Sequence, residues 1–154
     1  MNLFNQCKIS FRFLINKYKL EIITGEEEKY AYSNVYLKNK VAGLKVTFEN
    51  RDHAVFIKLY KLMDDKFPVY KTLKEYDNSD NGFDIFDFIN LRHPELKFSV
   101  FIKNKEDTIK KILDNYAIAI DKCAGNILNG DFSMFSKVKG IVDKRRQEYR
   151  RQYK

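Results

Sequence analysis

The sequence has few of the residues that usually carry chemistry or covalent cross-links. Its 154 residues include no Trp, two Cys, two His, two Pro and six Gly. Cys7 and Cys123 lie far apart and form no CxxC pair, so we expect two free thiols and no disulfide framework. The glycines are scattered and form neither a GxGxxG pattern nor a P-loop, which argues against both kinds of nucleotide-phosphate site.

Long hydrophobic runs are also absent. No apolar stretch approaches the roughly 18 residues that a membrane-spanning helix needs. Lys8 and Arg12 interrupt the N-terminal segment where a secretory signal would have an apolar core. We therefore expect a protein that spans no membrane and is located in the cytoplasm.

Candidate catalytic side chains are few. His53 lies in a predicted turn and His93 precedes a proline, and neither has a Cys or an acidic partner at metal-ligand spacing. No GxSxG or Cys–His pattern indicates a nucleophile. The sequence therefore predicts no catalytic residue and no cofactor, and a chain that is not an enzyme.

One loop partly matches a calcium site. An EF-hand loop needs oxygen ligands at positions 1, 3 and 5, Gly at position 6 and Glu at position 12. Residues 77–82 fit this pattern as far as Gly82, but position 12 is Phe88, which supplies no bidentate carboxylate. We therefore predict a solvated turn there and no metal site.

What the chain does contain is typical of one globular domain over residues 1–154. Hydrophobic residues make up 44% and charged residues 32%, and 13 Phe and 10 Tyr provide material for a core. An apolar stripe at spacings of three or four predicts an N-terminal helix over residues 3–18, and it consists of Phe4, Cys7, Phe11, Leu14 and Tyr18. Extended or alternating patterns predict strands over residues 19–24, 30–37, 44–49 and 55–60, the last two as a hairpin.

The C-terminal third has the strongest helical pattern. An apolar repeat at spacings 4-3-4-3-4 starts at Ile109 and predicts a long helix that ends at Gly130, with Asn104 and Asp107 as its N-terminal cap. A short helix is predicted over residues 84–91, and a last helix follows a cap at residue 131 or 133. The predicted fold class is α+β, with an N-terminal helix, an antiparallel sheet of about four strands, and C-terminal helices packed on one face.

Residues 75–87, the acidic segment, carry five acidic side chains and no Lys or Arg. We predict that this segment contacts a protein partner through charge complementarity and aromatic anchors. The predicted contact set is Glu75, Tyr76, Asp77, Asp80, Phe83, Asp84 and Asp87. Asp84 and Asp87 also suit the first turn of a helix, where negative charge is favourable, so a purely structural role stays open for them.

The C-terminal end has the opposite charge. Residues 137–154 contain eight Lys or Arg and two acidic residues, so six of the eight net positive charges fall there. The basic tail, at about residues 143–154, is interpreted as a solvated helix end, as a contact for a protein or membrane surface, or as a nucleic-acid contact. The predicted nucleic-acid contacts are Lys144, Arg145, Arg146, Tyr149, Arg150 and Arg151.

Five stretches together carry a family resemblance: FRFL at 11–14, LKVTFENR at 44–51, VFIKLYKL at 55–62, NLRHP at 90–94 and GDFSMF at 130–135. In this order and spacing the chain resembles small bacterial proteins of the immunity type, often encoded near polymorphic or contact-dependent toxins. The resemblance covers most of the chain and implies a non-enzymatic protein that binds and blocks a toxin domain. The basic tail departs from nuclease inhibitors, which are often acidic.

Overall fold

A computed structural model describes residues 2–25, 32–69, 71–72, 74–75, 80–103 and 108–153. Two helices open the chain, α1 (Leu3–Ser10) and α2 (Arg12–Tyr18). Five strands follow, β1 (Glu21–Thr24), β2 (Tyr32–Lys38), β3 (Ala42–Glu49), β4 (Ala54–Lys61) and β5 (Gly82–Asp84). The helices α3 (Ile85–Arg92), α4 (Ile109–Leu128) and α5 (Phe135–Gln152) complete the order, which is the predicted α+β class.

The strands form one antiparallel sheet in the order β1-β2-β3-β4-β5, so each strand pairs with the next along the chain. In the β3–β4 hairpin, Val46 lies opposite Ile57, as the two alternating patterns predict. Successive side chains of a strand point to opposite faces, so the apolar residues of both strands share one face. These residues are buried, which confirms the predicted hairpin.

The buried face of the sheet, called here the covered face, packs against the helices. Apolar residues of β2, β3 and β4 form one core with the buried stripes of α1, α3 and α4. Tyr116 of α4 is fully buried, and its hydroxyl donates a hydrogen bond of 2.8 Å to the carbonyl oxygen of Val55 in β4. This bond ties the longest helix to the sheet and satisfies a polar group that burial removes from water.

The sheet has five strands, one more than predicted. Strand β5 is only three residues long and lies directly before α3, so it has no alternating pattern that a sequence could reveal. Asp84 ends the strand and also caps α3, since its carboxylate accepts a 2.8 Å hydrogen bond from the N–H of Phe86.

The N-terminal prediction was right about the buried stripe and wrong about a single helix. Phe11 has φ −100° and ψ 12°, which separates α1 from α2. Its N–H still donates to Cys7 and its carbonyl still accepts from Ile15, so hydrogen bonding continues through the junction. The ring of Phe11 is fully buried in the core.

The caps of the C-terminal helices differ from the prediction. Thr108 caps α4 by accepting from the N–H of Lys111, while residues 104 and 107 lie outside the described residues. Gly130 follows the end of α4 with φ +99°, as predicted. Helix α5 starts only at Phe135, because the carboxylate of Asp131 accepts from the N–H of Ser133 in a turn before the helix. The predicted cap at residue 131 or 133 was therefore wrong.

Both cysteines are free and buried, as expected for core residues. Burial raises the pKa of Cys7 to about 12 and also raises the pKa of Cys123, which keeps the thiols protonated at neutral pH. Within the described residues, no helix has the length and hydrophobicity needed to cross a bilayer.

Candidate functional site

The face of the sheet that points away from the core, called here the open face, carries polar and aromatic side chains in rows. The strand register places Ile23, Tyr36, Lys45, Lys58 and Asp84 in one row from β1 to β5, each opposite the next. Lys45 and Lys58 are therefore direct cross-strand neighbours. Like charges in this position repel each other, and Asp84, opposite Lys58 on its other side, offsets part of this repulsion.

Aromatic rings flank the two lysines. The ammonium of Lys45 lies 5.9 Å from the ring centre of Tyr36, and that of Lys58 lies 5.5 Å from the ring centre of Tyr60. Phe67 makes edge-to-face contacts with both tyrosines, at centroid distances of 5.0 and 5.5 Å. Cations are attracted to the faces of such rings, so the tyrosines position the two ammonium groups on the open face.

Two glycines allow these rings to lie close to the sheet. A Cβ atom at Gly43 would lie 2.4 Å from the ring of Phe67, and one at Gly82 would lie 2.5 Å from the ring of Tyr60. Such distances are far below van der Waals contact. The missing side chains therefore make room for Phe67 and Tyr60 at one end of the open face.

A depression of about 390 Å³ runs between the open face and α5 and is called here the groove. Strands β3 and β4 supply its floor, which includes Lys45, Lys58 and the partly exposed ring of Phe56. Arg145 and Arg146 of α5 line its side. The groove is thus built from elements far apart in sequence, and four cationic side chains border it.

Two carboxylates also line the groove, and both make structural bonds. Nη1 of Arg145 donates to Oδ1 of Asp87 at 2.9 Å, and the Asp87 side chain is only 9% exposed. This bond raises the pKa of Arg145 and fixes its guanidinium at the groove. Burial raises the pKa of Asp84, which the bond from the N–H of Phe86 opposes. The groove therefore keeps a surplus of positive charge.

The predicted acidic contact set does not form one exposed surface. Asp84 and Asp87 line the groove, whereas Glu75 is exposed and accepts a 2.8 Å hydrogen bond from the N–H of Lys71. Asp80 is exposed. The predicted contacts at residues 76 and 77 lie outside the described residues.

Phe83 is the clearest correction to that set. We predicted it as an aromatic anchor for a partner, but it is only 5% exposed, although it borders the groove. Its ring packs against Phe88 at 6.2 Å and against Phe135 at 5.5 Å, so it belongs to the core between β5, α3 and α5. Because successive side chains of a strand point to opposite faces, its ring points away from the open face, where its strand neighbour Asp84 lies.

The predicted basic set divides into two groups. Arg145 and Arg146 line the groove. The remaining predicted contacts are exposed along the end of α5, and they are Lys144, Tyr149, Arg150 and Arg151. The ring of Tyr149 packs on Tyr153 at 4.5 Å. Through Arg145 and Asp87, the basic tail touches the acidic segment instead of forming a separate pole.

Other candidates from the sequence have structural explanations. His53 lies in the β3–β4 turn with φ +49°, and Nδ1 of His93 lies 2.9 Å from Oε1 of Glu95 at an exposed position. Within the ranges that the structure describes, no group of three or more His, Cys, Asp or Glu side chains could hold a metal ion.

A second, larger cleft of about 680 Å³ lies where α2, the β2–β3 turn and the end of α4 meet. Its lysines include Lys17 and Lys38, which pair with Asp121 at 2.9 Å and with Asp65 at 3.4 Å. The Asn39 side chain connects the β2–β3 turn to the end of α4 by donating a 2.8 Å hydrogen bond to the carbonyl oxygen of Leu128. The groove is the stronger candidate for binding because it adds a partly exposed aromatic ring, that of Phe56, to its cations.

Sequence reasoning missed the central residues of the groove, Lys45, Lys58 and Phe56. A signal was present, since the alternation of both strands puts these three side chains on the face opposite the core. What the alternation cannot give is the cross-strand pairing of the lysines or the position of α5 beside them.

Comparisons of the chain with protein-family models, curated proteins and solved structures found no match. The inference of function therefore has to start from the open face and the groove.

Proposed function

We propose that this chain is a non-enzymatic protein-binding module, an immunity protein that binds and neutralises a bacterial toxin domain in the cytoplasm. The open face is the observation that carries the proposal. Together with the side of α5 it forms a groove lined by the partly exposed ring of Phe56 and by Arg145 and Arg146, and protein interfaces are enriched in aromatic residues and arginine. The resemblance to immunity-type proteins supports the same function.

The charge of the chain favours one class of toxin over another. A nuclease needs a basic surface to bind its substrate, and such a surface would repel a protein of net charge +8. Within the acidic segment, Asp84 and Asp87 are bound to the N–H of Phe86 and to Arg145, so they add little negative charge for a basic target. We therefore propose a target with an acidic contact surface.

The test uses the protein encoded by the adjacent open reading frame as the partner. We expect the two chains to co-purify as a stoichiometric complex and the present chain to restore growth to cells that express that partner. A partner that is toxic and is neither bound nor neutralised would contradict the proposed function.

Two matched variants locate the interface. Phe56 on the open face is 36% exposed and Ile118 on the outside of α4 is 51% exposed, so a glutamate at either position can reach solvent. We expect F56E to weaken the complex at least tenfold and I118E to leave it within twofold, with both variants folded by circular dichroism. The reverse result would place the interface on the helical layer.

A second candidate function is nucleic-acid binding by the end of α5. Tyr149 and Tyr153 are 63% and 73% exposed, and Arg150 and Arg151 lie beside them, which suits stacking and phosphate contacts. This function predicts an affinity for single-stranded oligonucleotides that falls steeply with salt. R150E/R151E should abolish it while leaving the Arg145–Asp87 bond intact, and an absence of binding at low salt would exclude it.

A further inference from the structure

We propose that the groove binds an acidic segment of the partner protein, with a carboxylate held between Lys45 and Lys58. This inference rests on the proposed function, because it specifies the chemistry of the partner at the same face. In this proposal, the lysine pair and the side of α5 determine which partner the surface binds.

The cross-strand lysine pair is the first reason. Lys45 and Lys58 lie directly opposite each other, and Asp84, on the other side of Lys58, offsets part of their mutual repulsion. A further carboxylate between the two lysines would add an attraction to each ammonium group. The pair therefore suits an acidic ligand.

The fixed position of Arg145 is the second reason. Asp87, on α3, holds this guanidinium beside the groove through a nearly buried carboxylate. Arg146 follows on the same helix and also lines the groove. Cations on both the floor and the side can contact an acidic segment along its length, and a cation that is already positioned loses less entropy on binding.

The aromatic residues decide between a protein and a nucleic acid as the occupant. Sequence-tolerant binding of single strands uses several rings on which successive bases stack. Tyr60 is only 7% exposed, and Phe67 packs against both Tyr60 and Tyr36. Among the described residues that line the groove, Phe56 alone is an exposed large hydrophobic side chain. One exposed ring beside paired lysines suits an apolar side chain next to a carboxylate.

The experiment titrates the isotope-labelled full chain with a synthetic ten-residue peptide of glutamate with one central leucine. We expect saturable shifts of the backbone amide signals of Lys45, Phe56, Lys58 and Arg146. A peptide with glutamine in place of glutamate should cause shifts at least tenfold smaller at the same concentration. Equal binding of both peptides, or no shifts at the groove, would overturn the proposal.

Matched charge variants complete the test. K45E/K58E should lower the affinity for the acidic peptide at least tenfold. K8E/K122E makes the same change of charge at exposed helix positions and should lower this affinity less than threefold. K45Q/K58Q replaces the first variant if that one fails to fold. A ten-residue thymidine oligonucleotide that shifts the groove signals more strongly than the peptide would identify a nucleic-acid site and overturn the proposal.

The same variants separate this inference from the proposed function. A complex with the adjacent gene product that tolerates K45E/K58E would contradict the groove proposal and keep the toxin-binding function. If the acidic peptide binds at the groove but the chain forms no complex with the adjacent gene product, the toxin-binding function is contradicted and the acidic-segment site is kept.

Discussion

The two faces of the sheet are made by the same strands and differ in what they contribute. In β3, Leu44, Val46 and Phe48 are buried against the helices, while Lys45 and Thr47 point to the open face. The covered face removes apolar surface from water and so supplies stability. The open face carries Lys45 and Lys58, which stay partly exposed and so contribute little to stability.

The polar groups on the covered face and on the open face of the sheet also differ in their surroundings. Below the covered face, the hydroxyl of Tyr116 is bound to a strand carbonyl, and no buried side-chain nitrogen or oxygen among the described residues lacks a hydrogen-bond partner. On the open face, Lys45 and Lys58 face each other, and their ammonium groups lie over the rings of Tyr36 and Tyr60. Neighbouring positions of one strand therefore differ in what they contribute to folding, and substitutions at these positions should show the difference.

The largest contrast is expected between two consecutive residues of β3. L44A deletes a fully buried side chain and should lower the free energy of unfolding by about 2 to 5 kcal/mol, because it leaves a cavity in the core. K45A should change it by less than about 0.5 kcal/mol, as is usual for surface positions. Urea denaturation of both variants measures the difference, and comparable losses would show that the open face also supports the fold.

A pair of glycine substitutions should have opposite signs. G82A places a Cβ against the ring of Tyr60 at 2.5 Å and should destabilise the chain by about 1 to 3 kcal/mol through overpacking. G140A lies in α5, where nothing approaches the added Cβ within 4 Å, and should stabilise the helix by about 0.5 to 1 kcal/mol. Thermal melting of both variants measures these effects. A G82A variant more stable than the unmodified chain would show that the position of the Tyr60 ring does not require glycine at residue 82.

The covered face was largely predictable and the open face was not. A helix or strand that buries one side records this in its own periodicity, which is why the stripe of α4 and the β3–β4 hairpin follow from the sequence. The groove depends on which strand residues become neighbours and on where α5 lies. Arg145 and Asp87 are 58 positions apart, and no local pattern relates them.

The wrong predictions share this origin. We predicted Phe83 as a partner contact because it lies within the acidic segment, whereas its burial depends on Phe88 and Phe135 from two other elements. Strand β5 was missed because three residues are too few for a pattern and its pairing with β4 is a tertiary contact. Charge clusters in a sequence thus indicate composition, while their grouping on a surface requires the fold.

A buried and an exposed tyrosine provide a smaller contrast. Y116F removes the hydroxyl that donates to Val55 and should lower the free energy of unfolding by about 1 to 2 kcal/mol, since a buried hydrogen bond is lost. Y149F, on the exposed part of α5, should leave it within about 0.5 kcal/mol. Equal stabilities in urea would show that water replaces the hydroxyl below the sheet.

The smallest effect concerns a group of charged side chains in the helical layer. Asp121 of α4 accepts from Tyr18 at 2.6 Å and from Lys17 at 2.9 Å, and these bonds lower its pKa. A lowered folded-state pKa adds stability above the unfolded-state pKa of about 4, and this stability is lost as the pH falls through the folded value.

D121N should therefore be less stable than the unmodified chain at pH 7, by less than about 1 kcal/mol because solvent partly screens the half-buried carboxylate. The difference should shrink as the pH is lowered below 4, since protonation of Asp121 removes its charge in the unmodified chain as well. D114N, which removes a carboxylate from the exposed pair with Lys110 on the same helix, controls for the loss of one charge. A deficit of D121N that stays constant from pH 7 to pH 2.5 in urea denaturation would show that packing, and not the charge of Asp121, joins α2 to α4.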